Sequence, residues 1–119
     1  MQPPQHTIDL LELWGRWQRG LAGAGVGIAC VRCEGDDIGR PDAVFSADAE
    51  WLDRRLAEFK VEGPESALVY KALELRYLWQ MSVPEASARS RCSPKTFKDR
   101  CDHGAWFVNG LLALRRLAA

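Results

Sequence analysis

Apolar side chains recur along this chain at the three- and four-residue spacing of helices, and no stretch alternates convincingly with period two. The first and last apolar faces consist of Leu10, Trp14, Trp17 and Leu21 and of Phe97, Cys101, Ala105, Val108 and Leu112. A chain of 119 residues can bury one core but is short for two domains. No internal repeat is visible. We therefore expect an all-α fold of four or five helices in a single domain over residues 1–119.

Capping and breaking residues set the expected helix boundaries. Thr7 is expected to cap the first helix, which ends in the glycine-rich residues 20–27. Residues 23–45 have no clear period and predict a flexible loop, with at most a short helix over residues 26–31. Ser46 is expected to cap a second helix that ends near residue 61. Gly63-Pro64 then ends this helix and begins the next one.

The third helix is expected to bury Leu68, Ala72, Leu75 and Trp79, which share one helical face. The chain has five tryptophans, which suggests either core packing or stacking on nucleotide bases. Four of the five lie on expected apolar faces. Core packing is therefore the better interpretation for most of them.

Residues 82–104 predict a helix-turn-helix near the C-terminus. The pattern consists of a short helix over residues 84–90, a turn over residues 91–93 and a last helix from Pro94 to about Leu117, with Ser93 as its cap. A helix-turn-helix presents the start of its second helix to the DNA major groove. The residues expected to face DNA are of types that meet phosphates and base edges: Arg89, Arg91, Ser93, Lys95, Thr96, Lys98, Asp99 and Arg100. The alternative is an αα-hairpin whose polar face is merely solvated.

Charge is unevenly distributed along the chain. Sixteen basic and sixteen acidic side chains give a formal net charge of zero. From Ala86 onward the chain has seven cations and two anions, which gives a net charge of +5 there and −5 in the rest of the chain. One end of the chain is thus suited to phosphate, and the other end is suited to a different partner.

Neither the N-terminus nor any internal segment resembles a membrane signal. The first residues lack the basic start and apolar run of a secretory signal, and no apolar stretch approaches the roughly 20 residues that cross a bilayer. We therefore expect a cytoplasmic protein without a membrane partner.

In a reducing compartment the four cysteines are expected as thiols or metal ligands rather than as disulfides. Cys30 and Cys33 have the CxxC spacing of half a zinc site, but Cys92 and Cys101 make a weak second half. Inert thiols are favoured over zinc binding or a redox role, and no cofactor is expected. Paired carboxylates on a recognisable scaffold, Ser-His or Cys-His constellations and the GxxxxGK[ST] phosphate loop are all lacking. We therefore expect no enzymatic activity.

Two motifs resemble known families. The spacing of Glu85-Ala86-Ser87, Cys92-Ser93, Thr96-Phe97 and Arg100 resembles the helix-turn-helix shared by the last DNA-binding region of sigma factors and related regulators. Those motifs favour a large aliphatic residue where Ala86 and Ser90 stand and a glycine where Arg91 stands. The segment Leu11–Trp17, LELWGRW, resembles the LxxWGxW opening of the phage antitermination protein Q family, in its small form without an intact zinc finger. Leu75–Trp79, LRYLW, also fits that family, so the resemblance covers nearly the whole chain.

The resemblance implies a phage late-gene regulator that binds a DNA element by a late promoter and joins paused bacterial RNA polymerase with its sigma factor. Such a protein travels with the polymerase and suppresses pausing and termination by narrowing the RNA exit channel, so nascent RNA is a further expected partner. Two alternatives stay open. One is a sigma-like regulator that binds DNA and releases polymerase. The other is a helical adaptor that binds only protein through its acidic region, Asp36, Asp37, Asp42, Asp48 and Glu50.

Overall fold

The computed structural model describes residues 2–26 and 47–118, with side chains for residues 2–20 and 47–117. The five α-helices in these ranges are α1 Gln5–Val26, α2 Ala47–Lys60, α3 Pro64–Leu73, α4 Val83–Ser90 and α5 Pro94–Ala118. A π-helical turn, Glu74–Leu78, continues α3. The two described ranges contain no strand, so the fold is all-α as expected.

Most of the expected boundaries are confirmed, but two near the N-terminus are wrong. Helix α1 continues to Val26, so residues 23–26 are helical rather than part of a loop. The rest of the expected loop, most of the short helix over residues 26–31 and the Ser46 cap lie outside the described residues. The second correction concerns Thr7, which lies inside α1 and is fully buried. Its hydroxyl donates a hydrogen bond to Oδ1 of Asn109 in α5 at 3.0 Å, a contact between helices that replaces the expected cap.

The main core lies between α1, α2, α3 and α5. Its fully buried members are Leu11, Trp14, Leu52, Leu56, Leu73, Ala105 and Val108. The indole nitrogen of Trp14 donates a hydrogen bond to Asp53 Oδ1 at 3.1 Å, so its one polar atom is satisfied inside the core. Gly104 brings α5 close to α3, because a methyl group there would come within 2.7 Å of Leu73 Cδ1.

A second, smaller core attaches the α4–α5 pair to the rest of the protein. It consists of Ala72, Leu75, Ala86 and Phe97. Phe97 is fully buried one turn into α5, and Ala86 from α4 packs in the same cluster. The small side chain of Ala86 therefore occupies a closely packed position, and the start of α5 is anchored from its inner side.

The buried face of α3 differs from the expected one. Leu68 is 44% exposed and Trp79 is 59% exposed, whereas Val69 and Leu73 are buried together with the expected Ala72 and Leu75. The difference at Trp79 follows from the π turn, whose wider turns hold more residues than α-helical turns. A count based on 3.6 residues per turn therefore assigns Trp79, which follows the π turn, to the wrong face.

Candidate nucleic-acid interface

Capping interactions fix both helices and the turn of the 82–104 segment. Ser82 caps α4, because its side chain accepts a hydrogen bond from the Glu85 N–H at 3.3 Å. Ser93 caps α5 as expected, since its Oγ accepts from the Thr96 N–H at 3.1 Å. The two helices and the turn between them therefore match the predicted boundaries. That this pair of helices is a DNA-binding helix-turn-helix stays a prediction.

Arg91 holds the turn in the left-handed conformation, with φ 58° and ψ 45°. Its N–H donates to the Ala88 carbonyl at 3.2 Å, and the Cys92 N–H donates to the Ser87 carbonyl at 3.1 Å. These two bonds form the Schellman motif that commonly ends helices, in which the left-handed residue is usually glycine. The arginine at this position thus adopts the conformation for which sigma-like motifs use glycine.

All eight predicted DNA-facing residues lie within α4, the turn and the first two turns of α5. Seven of them are exposed: Arg89, Arg91, Ser93, Lys95, Thr96, Lys98 and Asp99. Arg100 is partly buried. We call these eight residues the basic face. Five cations and one carboxylate give it a net charge of +4.

Ion pairing leaves most of the basic face available to an anion. Lys95 Nζ lies 3.2 Å from Asp99 Oδ2, in a pair whose side chains are 85% and 64% exposed. Such an exposed pair is weak and can reorganise at low cost. Among the residues that the structure describes, no carboxylate lies within 4.0 Å of the other four cations of the face.

The two described cysteines lie on the inner side of the α4–α5 pair. Cys92 and Cys101 are both partly buried free thiols that pack against the smaller core. Burial raises the pKa of Cys101 to about 12, and its thiol lies 3.8 Å from the Ala72 carbonyl. Cys101 is therefore a protonated packing group at neutral pH. Cys30 and Cys33 lie outside the described residues.

A second basic feature was not predicted from the sequence. A cleft of about 420 Å³ opens between α1 and the π turn. We call it the arginine cleft; its lining residues are Ile8, Glu12, Arg16, Arg19, Arg76, Tyr77 and Gln80. The only available sequence signal was the spacing of Glu12, Arg16 and Arg19, which places them on one face of α1. The residues next to Arg76 in the sequence gave no indication that its side chain would line the same cleft.

The two segments that carry the family resemblance pack against each other. Leu11 and Trp14 are fully buried, and Gly15 lies against the Tyr77 backbone. Arg19, one turn further along α1, donates from Nη1 to the carbonyls of Tyr77 at 3.0 Å and Leu78 at 2.8 Å. Gly15 of the motif LELWGRW and Arg19 just beyond it therefore build the contact between α1 and the π turn.

The tryptophans divide between the core and the surface. Trp14 is buried, Trp17 and Trp51 are partly buried, and Trp106 is 37% exposed. The expected burial of Trp79 is wrong, as described above. The aromatic surface of the described residues is thus larger than the sequence predicted.

Comparisons with protein-family models, with curated proteins and with solved structures found no match to this chain. None of the described helices combines the length and apolarity needed to cross a membrane.

Proposed function

We propose that this protein is a DNA-binding transcription antitermination factor that acts on bacterial RNA polymerase in the cytoplasm of a phage-infected cell. The observation that carries the proposal is the basic face at the start of α5. Lys95, Thr96 and Lys98 are exposed there, while Phe97 between them is fully buried and anchors the helix. A rigid helix start that presents cations and a hydroxyl suits the major groove of duplex DNA.

The electrostatics of the basic face support contact with phosphates. Arg89 and Arg91 lie at the end of α4 and in the turn, and Lys98 lies in α5, each without a carboxylate partner in the described part of the chain. Cations that neutralise phosphates release counterions from DNA, so they contribute affinity that falls steeply with salt. The rest of the chain carries the compensating negative charge, so the chain as a whole is neutral.

The antitermination part of the proposal draws on the resemblance of Leu11–Trp17 and Leu75–Trp79 to the phage antitermination protein Q family. In this proposal the protein binds a DNA element beside a late promoter and joins paused polymerase while sigma factor is present. It then travels with the enzyme, and its helical body narrows the RNA exit channel around the nascent RNA. This activity needs a rigid body and two binding surfaces but no catalytic residue, cofactor or metal.

The salt dependence of duplex binding tests the basic face. Lys98→Ala and Arg100→Ala should each weaken binding and lower the slope of log affinity against log salt by about one unit for each lost phosphate contact. Arg116→Ala is the matched control, since it removes the same charge from α5 about 27 Å beyond Lys98 at 1.5 Å per residue. Equal binding by all three variants and the unchanged protein would rule out this face.

A terminator read-through assay on templates with and without the bound DNA element tests the second part. Read-through should persist far downstream of the element if the protein travels with polymerase. Read-through that stops near the promoter would favour the sigma-like regulator. The adaptor alternative stays open at Asp48 and Glu50, because their ion pairs with Arg115 and Arg54 are exposed and weak. Polymerase binding without any duplex binding at low salt would favour it.

A further inference from the structure

The arginine cleft concentrates positive charge on the side of α1 that faces the π turn. Arg16, Arg19 and Arg76 line it together with the carboxylate of Glu12. Arg16 and Arg76 are exposed, and in the described ranges neither has a carboxylate within 4.0 Å. Like charges that share a concave surface repel one another and attract anions more strongly than the same charges on a convex one. The cleft is therefore suited to an anionic ligand.

The remaining lining groups favour a ligand larger than a simple ion. Burial, as the main cause, raises the pKa of Tyr77 to about 12, so its phenol is neutral at physiological pH. Gln80 contributes an amide, and Ile8 contributes an apolar contact. The volume of about 420 Å³ lies within the roughly 300–1,000 Å³ of typical small-ligand sites. This combination suits a molecule with a phosphate, hydroxyl groups and an apolar part.

Arg19 differs from the other two arginines because its guanidinium is already engaged. It donates to the carbonyls of Tyr77 and Leu78, the last residues of the π turn. Arg19 therefore holds the cleft wall in place, and it is itself one of the residues that line the cleft. Arg76 has one long contact, 3.3 Å from Nη1 to the Met81 carbonyl, and Arg16 has no hydrogen bond to another described side chain.

We propose that the arginine cleft binds a phosphorylated ligand of nucleotide size, with Arg16 and Arg76 holding the phosphate and Glu12 accepting a hydrogen bond from a sugar hydroxyl or a base. Guanidinium groups match phosphate oxygens in geometry as well as charge. The ligand is either a free nucleotide or one nucleotide unit of a single strand. This proposal does not rest on the function proposed above, because the cleft and the basic face share no residue.

Isothermal titration with inorganic phosphate, adenosine 5′-monophosphate and a short oligothymidylate tests the site and distinguishes the two sources. Arg16→Gln and Arg76→Gln should each weaken binding about tenfold or more, because each removes a charge-assisted hydrogen bond. Glu12→Gln should strengthen binding of inorganic phosphate by removing a repulsive charge. Arg116→Gln is the control for loss of one exposed arginine, and Arg76→Lys should recover part of the affinity. The unfolding midpoint of each variant shows whether it is folded.

Binding of the mononucleotide that depends on Arg16 and Arg76 would support a free ligand. The same dependence with the oligonucleotide alone would support a strand. The proposal fails if the unchanged protein binds none of the three probes, or if Arg16→Gln and Arg76→Gln bind as tightly as Arg116→Gln. Because Lys98 and Arg100 do not line the cleft, loss of duplex binding in their variants would leave this titration unchanged.

Discussion

Gly15 in α1 lies against the backbone of Tyr77 so closely that a methyl group at Gly15 would overlap the Tyr77 carbonyl oxygen. The obstacle is backbone and cannot rotate away, so Gly15→Ala must move α1 or the π turn. We expect Gly15→Ala to lower the free energy of unfolding by about 3 kcal/mol or more, as measured by urea denaturation. A methyl group at Gly20, in the same helix, meets no atom of the described residues within 4 Å, so Gly20→Ala should raise the free energy of unfolding by about 0.5–1 kcal/mol. Equal effects of the two substitutions would contradict this contact.

Arg19 should contribute to stability, whereas Arg16 should not. Arg19→Gln removes the donors to two carbonyls at the end of the π turn, and we expect it to lower the free energy of unfolding by about 1–3 kcal/mol. Arg16→Gln changes an exposed side chain and should stay within about 0.5 kcal/mol of the unchanged protein. Paired urea titrations measure both. A larger loss from Arg16→Gln than from Arg19→Gln would show that the structural role is assigned to the wrong arginine.

Arg91 has the left-handed backbone conformation that glycine adopts at lower cost. In this conformation a residue with a Cβ atom is less stable than glycine by about 1–2 kcal/mol. Glycine loses about 0.5–1 kcal/mol more conformational entropy on folding, which offsets part of that difference. We therefore expect Arg91→Gly to raise the free energy of unfolding by about 0.5–1 kcal/mol while weakening duplex binding. Arg89→Gly, inside α4, should lower it by about 1 kcal/mol. Thermal unfolding of both variants shows whether their changes in stability have opposite signs. A loss of stability in Arg91→Gly would contradict the strain at this turn.

Stability should decline in alkaline solution. The pKa values of Tyr70, Tyr77 and Cys101 are each raised to about 12, mainly by burial. The unfolded chain releases these protons at the ordinary pKa values, near 9 for Cys and 10 for Tyr, so between about pH 9 and 12 the folded state holds more protons. The free energy of unfolding must then fall as pH rises through this range, and the full contribution is present below pH 9.

Urea midpoints measured from pH 7 to pH 11 test this prediction. Cys101→Ala should lower stability at pH 7 but flatten the decline that begins near pH 9. Tyr77→Phe should flatten the decline that begins near pH 10. A slope that is unchanged in both variants would show that other groups cause the alkaline loss.

Sequence signals predicted the helix boundaries that depend on interactions between neighbouring residues. Gly63-Pro64 ends α2 and begins α3, and Ser93-Pro94 begins α5, because proline and a capping hydroxyl act within one turn. Phe97 was predicted to be buried from helical spacing alone, and the structure confirms it.

Features that depend on distant residues could not be predicted in this way. The hydroxyl of Thr7 has a cap's position in sequence but binds Asn109, 102 residues away. The arginine cleft requires α1 to cross the π turn, and only packing brings Arg16 and Arg76 together. The exposure of Trp79 results from the π-helical geometry of residues 74–78, and no residue type in that segment indicates a π turn.

The π turn at Glu74–Leu78 is equivalent to an α-helix with one residue inserted. Deleting a single residue there would give a continuous α-helix, and every later residue of this segment would rotate by about one hundred degrees around the helix axis. The Tyr77 and Leu78 carbonyls would then turn away from Arg19, and Arg76 would leave the wall of the cleft. The cleft therefore depends on the length of this segment, so that a one-residue deletion would remove it even if every arginine were kept.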